Sequence, residues 1–275
     1  MSGQQLIEKT RAGGVVYGSM VTAGRSPQWA SPVADLGLDY VIIDTEHTPR
    51  GRTDVADYIA ALPPDGPAPI IRVPVPASHY VTMAIDAGSH GVLAPYCETV
   101  EEVREVVGAA KWRPLKGALL RRVVEEGIFP SDATRRYLED LNRNSVCIIG
   151  IESVPAVEAL PTLLEVRGVD AVFVGPNDLT VTLGIPDQYD HPDYEAALRR
   201  IIQVSTERGV PVMIHHQTVD LTTKWLGEGA RFVLHSSDAR QMHAGYRSDF
   251  SKIMAAGSEI TGEAAVEMGE SREVV

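Results

Sequence analysis

Cysteine is almost absent from this chain: Cys97 and Cys147 are the only two in 275 residues. Two thiols cannot build the disulfide framework of a small secreted domain, so a reducing compartment, the cytoplasm, is expected. Positive charge is also scarce. Lys and Arg total 25 against 37 Asp and Glu, a formal net charge of −12. No nucleic-acid partner is expected, because phosphate backbones are gripped by basic surfaces. A few arginines and a metal can still make a local site for an anionic substrate. No apolar run reaches the roughly 18 to 20 residues that a membrane-spanning helix needs. The opening MSGQQLIEKTRAGG lacks the apolar core of a secretory leader, so a soluble protein with no membrane partner is expected. GxGxxG and GxxxxGK[ST] elements are missing after the first β-rich run, which weighs against a nucleotide-binding sheet.

What the chain has instead is a recurring short apolar run. Val15–Val21, Tyr40–Thr45, Pro69–Pro74, Gly91–Tyr96, Val146–Glu152, Ala171–Val174, Pro211–His215 and Arg231–His235 make eight. Most are solidly apolar (VIID, PIIRV, AVFVG), as parallel strands buried on both faces are. Helical patterns fill the gaps: Val103, Val106 and Val107 share one face of residues 100–110, and Leu198, Ile201, Ile202 and Val204 mark residues 192–208. Eight βα units predict an α/β protein, a single-domain (β/α)₈ TIM barrel over residues 1–255. Residues 256–275 are expected to be a C-terminal tail, loosely held or swapped onto a neighbour. Lys111–Asn144 is irregular, broken by Pro114, Gly117, Gly127 and Pro130. It reads either as a lid or subunit contact on the catalytic face, or as a helix with an elaborate entry loop.

Barrel enzymes carry their chemistry at the C-terminal ends of the strands. There the chain places Asp44-Thr45-Glu46-His47, Arg72, Glu152, Gly175-Pro176-Asn177-Asp178, His215-His216-Gln217 and His235-Ser236-Ser237-Asp238. Glu152 and Asp178 follow adjacent strands, and two carboxylates without cysteine suit an oxygen-seeking ion such as Mg²⁺ or Mn²⁺. The plainer alternative has Glu152 capping a helix and Asp178 holding its loop. Arg72 interrupts an apolar strand and needs an anion, either Asp44 or a substrate carboxylate or enolate oxygen. His47 is a candidate base with an ordinary pKa near neutrality. His215, His216 and His235 offer a second, nitrogen-rich site for Zn²⁺, although no HxH or HExxH spacing backs it. No strand run contains lysine, which argues against an imine-forming aldolase.

These residues resemble the metal-dependent pyruvate aldolases of the HpcH/HpaI family. The resemblance rests on GLDYVIIDTEH (37–47), IIRVP (70–74), AIDAG (84–88), VLAP (92–95), IES (151–153) and GVDAVFVGPNDL (168–179), in family order over residues 14 to 240. It implies that Glu152 and Asp178 hold a divalent ion, Mg²⁺, Mn²⁺ or Co²⁺. It implies that Arg72 binds the enolate oxygen of pyruvate, that His47 with Asp86 forms a proton-moving dyad, and that Asp44 orients the cluster. Gly175, Pro176 and Asn177 would receive the substrate carboxylate. The implied reaction is class II aldol cleavage or synthesis of a 4-hydroxy-2-oxo acid from pyruvate and an aldehyde, in a homohexamer with exchanged C-terminal helices.

Two departures stand where substrate identity is set. The fifth strand reads Gly150-Ile151-Glu152 where the family usually has Q-I-E. After the fourth strand, KGALLRR (116–122) stands where G-x-R-G is usual, with Arg121 or Arg122 as substitutes. Those changes keep two other enzymes in view, an oxaloacetate decarboxylase and a biosynthetic enzyme that uses the same enolate. A non-catalytic barrel binding a small acid is disfavoured because Asp44, His47, Arg72, Glu152 and Asp178 are all present.

Overall fold

The computed structural model describes residues 1–264 and is a closed barrel of eight parallel strands in sequential order. The strands are β1 (Val16–Val21), β2 (Tyr40–Asp44), β3 (Ala68–Arg72), β4 (Gly91–Ala94), β5 (Val146–Ile151), β6 (Ala171–Val174), β7 (Val212–His216) and β8 (Phe232–Ser237). All eight expected runs are strands, shifted at either end by two residues at most. The fold is the (β/α)₈ barrel.

Period-two alternation divides each strand between two cores. Val16, Tyr40, Ile42, Ile70, Leu93, Ile148, Phe173, Met213, Phe232 and Leu234 point inward and fill the barrel. Val41, Ile43, Ile71, Val92, Ile149, Val172 and Ile214 point outward under the helices. Tyr40 crosses the interior, and its hydroxyl donates to the Val233 carbonyl at 2.7 Å. Gly18 makes that crossing feasible, because a Cβ there would lie 2.5 Å from the Tyr40 ring. Below, α1 (Gly3–Arg11) stops the N-terminal end of the barrel with Leu6 and Ile7. A reciprocal Ser2–Gln5 capping box holds its start.

The outer helices are α2 (Ala30–Ala34), α3 (Arg52–Ala61), α4 (Ser78–Asp86), α5 (Val100–Lys111), α8 (Val154–Leu163), α9 (Pro176–Thr182), α10 (Pro192–Glu207) and α11 (Val219–Gly227). Between α5 and β5 come α6 (Gly117–Glu126) and α7 (Asp132–Leu141). This corrects the lid expectation. The segment starts at the far end of α5 and feeds the beginning of β5, so it is an αβ connection on the N-terminal side of the barrel. Arg121 and Arg122 are exposed on α6, and Arg122 pairs with Glu126 at 3.5 Å.

The final helix, α12 (Asp238–Thr261), has 24 residues and none of them is buried. It runs unbroken across residue 255, where the tail was expected to begin; the tail's residues 265–275 lie outside the described residues. Met242, Tyr246, Phe250 and Ile253 are all exposed at helical spacing, and the Tyr246 and Phe250 rings stack at 6.2 Å. No helix among the described residues is long and apolar enough to cross a membrane.

Candidate active site

The site grows out of the strand register. Asp44 is the register partner of Arg72 at the upper ends of β2 and β3. Both side chains point inward, and Arg72 Nε donates to Asp44 Oδ1 at 2.8 Å. Asp44 is fully buried and Arg72 is 8% exposed, so each supplies the counter-charge that makes the other's burial tolerable. Burial opposes the Arg72 charge, but the Asp44 bond, together with Asp44, Glu46 and Glu152, outweighs it and raises the pKa. Asp44 also shapes the turn that follows, accepting from the backbone N–H groups of Glu46 at 3.0 Å and His47 at 3.3 Å.

That turn brings in Glu46, which was quoted within the DTEH motif but given no role in the sequence analysis. Its Oε2 lies 3.1 Å from Arg72 Nη1 and 3.6 Å from His47 Nε2. Burial raises its pKa to about 7; Arg72 pulls the other way, and Asp44 and Asp178 add to the rise. His47 is shifted down by burial and by the Arg72 charge, so its imidazole is neutral at pH 7. Glu46 and His47 thus stand side by side next to a fixed cation.

Across the mouth, Glu152 follows β5 and is 2% exposed. Two glycines make the space for its carboxylate. A Cβ on Gly150 would sit 2.2 Å from Oε1, and one on Gly175 would sit 1.9 Å from Oε2. The unusual Gly150 therefore has a local reason: the Glu152 carboxylate occupies the space of a side chain there. Tyr96, a non-glycine residue at φ 53, turns its N–H onto Glu152 Oε1 at 3.0 Å. Even so, burial lifts the Glu152 pKa to about 8, with Glu46 and Asp178 adding to the rise and the Tyr96 bond and Arg72 opposing it. Asp178 is exposed on the first turn of α9. Gly175 caps this helix and Pro176 has no N–H to offer, so Asn177 and Asp178 carry the backbone donors at that end. The Asn177 side chain accepts from the Tyr189 hydroxyl.

Two expectations need correction. Asp86 ends α4, a helix that starts just past the upper end of β3 and runs down the barrel's side. It is half-exposed and pairs with Arg113 at 2.7 Å, so within the chain it does not support His47. The histidine trio is divided by strand alternation. His215 points inward, where its ring meets Phe173 at 6.3 Å. His216 points outward against Tyr194, and His235 outward to the Thr222 hydroxyl at 3.1 Å. They cannot share a zinc ion. Among the described residues no three His, Cys, Asp or Glu side chains form a ready-made metal cage.

A sequence profile of the HpcH/HpaI aldolase/citrate lyase family matches residues 19–244. The chain belongs to that family. A 2-keto-3-deoxy-L-rhamnonate aldolase of Klebsiella pneumoniae is 31% identical over 212 residues, 76% of this chain and 78% of the relative. Among solved structures, an HpcH/HpaI aldolase/citrate lyase family protein of Burkholderia cenocepacia superposes with TM-score 0.77 at 28% identity, covering 91% of this chain and 99% of that one. An HpcH/HpaI aldolase of Desulfitobacterium hafniense gives 0.78 at 26%, covering 90% and 95%. This HpcH/HpaI member is thus an aldolase-type lyase. Class II aldolases generally use a divalent metal, and the donor set here fits one. Glu152 is a buried carboxyl whose ionised form a cation beside it would favour, and Asp178 is an accessible second oxygen donor. A hard ion completes its shell with water and substrate rather than with a third protein ligand.

Proposed function

We propose that this lyase cleaves or forms 4-hydroxy-2-oxo acids, with pyruvate and an aldehyde as the other partners, and that it depends on Mg²⁺, Mn²⁺ or Co²⁺ held by Glu152 and Asp178. The observation that carries the reading is Arg72: a buried guanidinium fixed by Asp44 at 2.8 Å and by Glu46 at 3.1 Å, within the field of Glu152.

The bound ion would supply Lewis acidity toward the 2-oxo acid. The substrate carboxylate would lie at the Gly175–Asn177 turn, with its oxo oxygen toward Arg72. Neutral His47, directly or through a water, takes the proton from the C4 hydroxyl. The C3–C4 bond then breaks, its electron pair stays with the three-carbon fragment, and C4 leaves as the aldehyde carbonyl. Negative charge collects on the oxo oxygen, where the rigid Arg72 guanidinium stabilises it without reorganising. Glu46 faces both groups and steadies the protonated imidazole. Returning the proton to C3 gives pyruvate, and synthesis runs the same steps backwards.

The exposed face of α12 supports a homohexamer in which Met242, Tyr246, Phe250 and Ile253 of one copy pack on the next. The buried free thiols Cys97 and Cys147 suit a reducing compartment, and we place the enzyme in the cytoplasm. The deciding experiment is pyruvate release from a panel of 4-hydroxy-2-oxo acids by metal-stripped protein, with and without each ion. Release should require metal and vanish in Glu152→Ala. Release from oxaloacetate alone would replace the aldolase reading with decarboxylation.

A further inference from the structure

Arg50 and Arg52 line a cavity outside the barrel, between α3 and α4 and behind β2 and β3. Its volume is about 100 Å³, several times what one water molecule needs. Val55, Ile71, Met83 and Ala84 are among the apolar side chains on its wall, and no aspartate or glutamate is. Such an acid-free wall stands out in a chain of net charge −12. Neither arginine has a carboxylate oxygen within ion-pair distance among the described residues.

Arg52 is exposed on the first turn of α3, whereas Arg50 is only 9% exposed. One nitrogen of Arg50, Nη2, donates to the carbonyls of Thr22 at 3.3 Å and Gly24 at 2.9 Å. Its Nε and Nη1 are buried without any partner. The guanidinium lies over the Tyr58 ring at 5.7 Å. Carbonyls and an aromatic ring anchor this cation but do not neutralise it. Burial lowers its pKa, with Asp238 the largest influence in the other direction. A buried guanidinium with unmet donors is costly until an anion reaches it.

We propose that this cavity binds a short apolar monocarboxylate, its carboxylate on Arg50 and its hydrocarbon end among Val55, Ile71, Met83 and Ala84. Arg52 adds a second positive charge from the surface. The apolar wall disfavours a di-acid, whose second charge would be desolvated there without a partner. The inference is independent of the aldolase reading, because the cavity is not the barrel mouth. Ile71 points outward from β3 and its neighbour Arg72 points inward. Thr45 belongs to both neighbourhoods: it lines the cavity, and its hydroxyl donates to the Arg72 carbonyl at 2.6 Å.

Butyrate is the probe, with butanol and butylamine as neutral and cationic counterparts of the same chain length. Calorimetric titration of the metal-stripped protein should show binding of butyrate and of neither counterpart. Arg50→Met should weaken butyrate binding by at least about tenfold, the worth of one hydrogen bond to a charged group. Ala84→Leu should weaken it as well by filling the apolar end, and should melt at a higher temperature, as cavity-filling variants do. That variant separates loss of binding from loss of fold, since Arg50 also holds the carbonyls of Thr22 and Gly24. Excess oxalate with Mg²⁺, a di-acid suited to the barrel mouth, should leave the butyrate affinity unchanged. No binding of butyrate by the wild type would overturn the proposal. So would binding that butanol matches, that oxalate displaces, or that survives either variant at wild-type affinity.

Discussion

At the residue scale, the active cluster holds ionisable groups away from their usual titration range, and each shift has a consequence. Glu152 ionises near 4.5 in the unfolded chain but keeps its proton to about 8 in the fold. Between those values the folded state binds the extra proton, so metal-free stability contributed by this group falls as pH rises. Glu152→Gln copies the protonated form. Urea unfolding without metal should therefore find it as stable as wild type at pH 5 and more stable at pH 8. An equal gap at both pH values would mean that the carboxyl is ionised throughout. His47→Asn should lower kcat by about 10²- to 10⁴-fold, the usual contribution of a positioned base, with metal affinity preserved in a direct titration. Gly175→Ala should do the reverse and weaken metal binding first, because its methyl would displace the Glu152 carboxylate from a position only 1.9 Å away.

At the scale of elements, close fit between neighbouring strands decides what each position tolerates. Gly18 on β1 and Tyr40 on β2 share one space. Gly18→Ala should cost about 1–3 kcal/mol in a denaturant midpoint, as overpacking of a filled interior does. The strands themselves were legible in the sequence because parallel strands covered on both faces are written as unbroken apolar runs, and Asp44 and Arg72 stood out as charges inside two of them. Other features were hidden for physical reasons. His215 and His216 are adjacent in sequence, which suggested one cluster, whereas alternation sends adjacent side chains to opposite faces. Asp86 was assigned beside His47 by resemblance, whereas within one chain α4 carries it down the barrel's side to a pair with Arg113. Lys111–Asn144 left a lid and a helix with an entry loop both open, because its length was visible and its side of the barrel was not.

At the scale of the whole molecule, α12 is a 24-residue helix with an apolar stripe and no buried residue. Such a stripe, left in water, is a site for association. Replacing Met242, Tyr246, Phe250 and Ile253 by serine should shift sedimentation from the assembled species toward the monomer while the barrel's unfolding midpoint stays close to wild type. A wild type that already sediments as a monomer would remove the hexamer. The opposite end of the molecule has a different effect. Because inward side chains fill the barrel and α1 covers its lower end with Leu6 and Ile7, the site opens only at the upper mouth. Two fragments made inside it must queue. In the proposed reaction the three-carbon acid would lie deeper, toward Arg72, and the aldehyde nearer the opening, so the aldehyde would leave first. Inhibition of cleavage should then be noncompetitive by aldehyde and competitive by pyruvate, an order of exit set by a barrel that is closed beneath its chemistry.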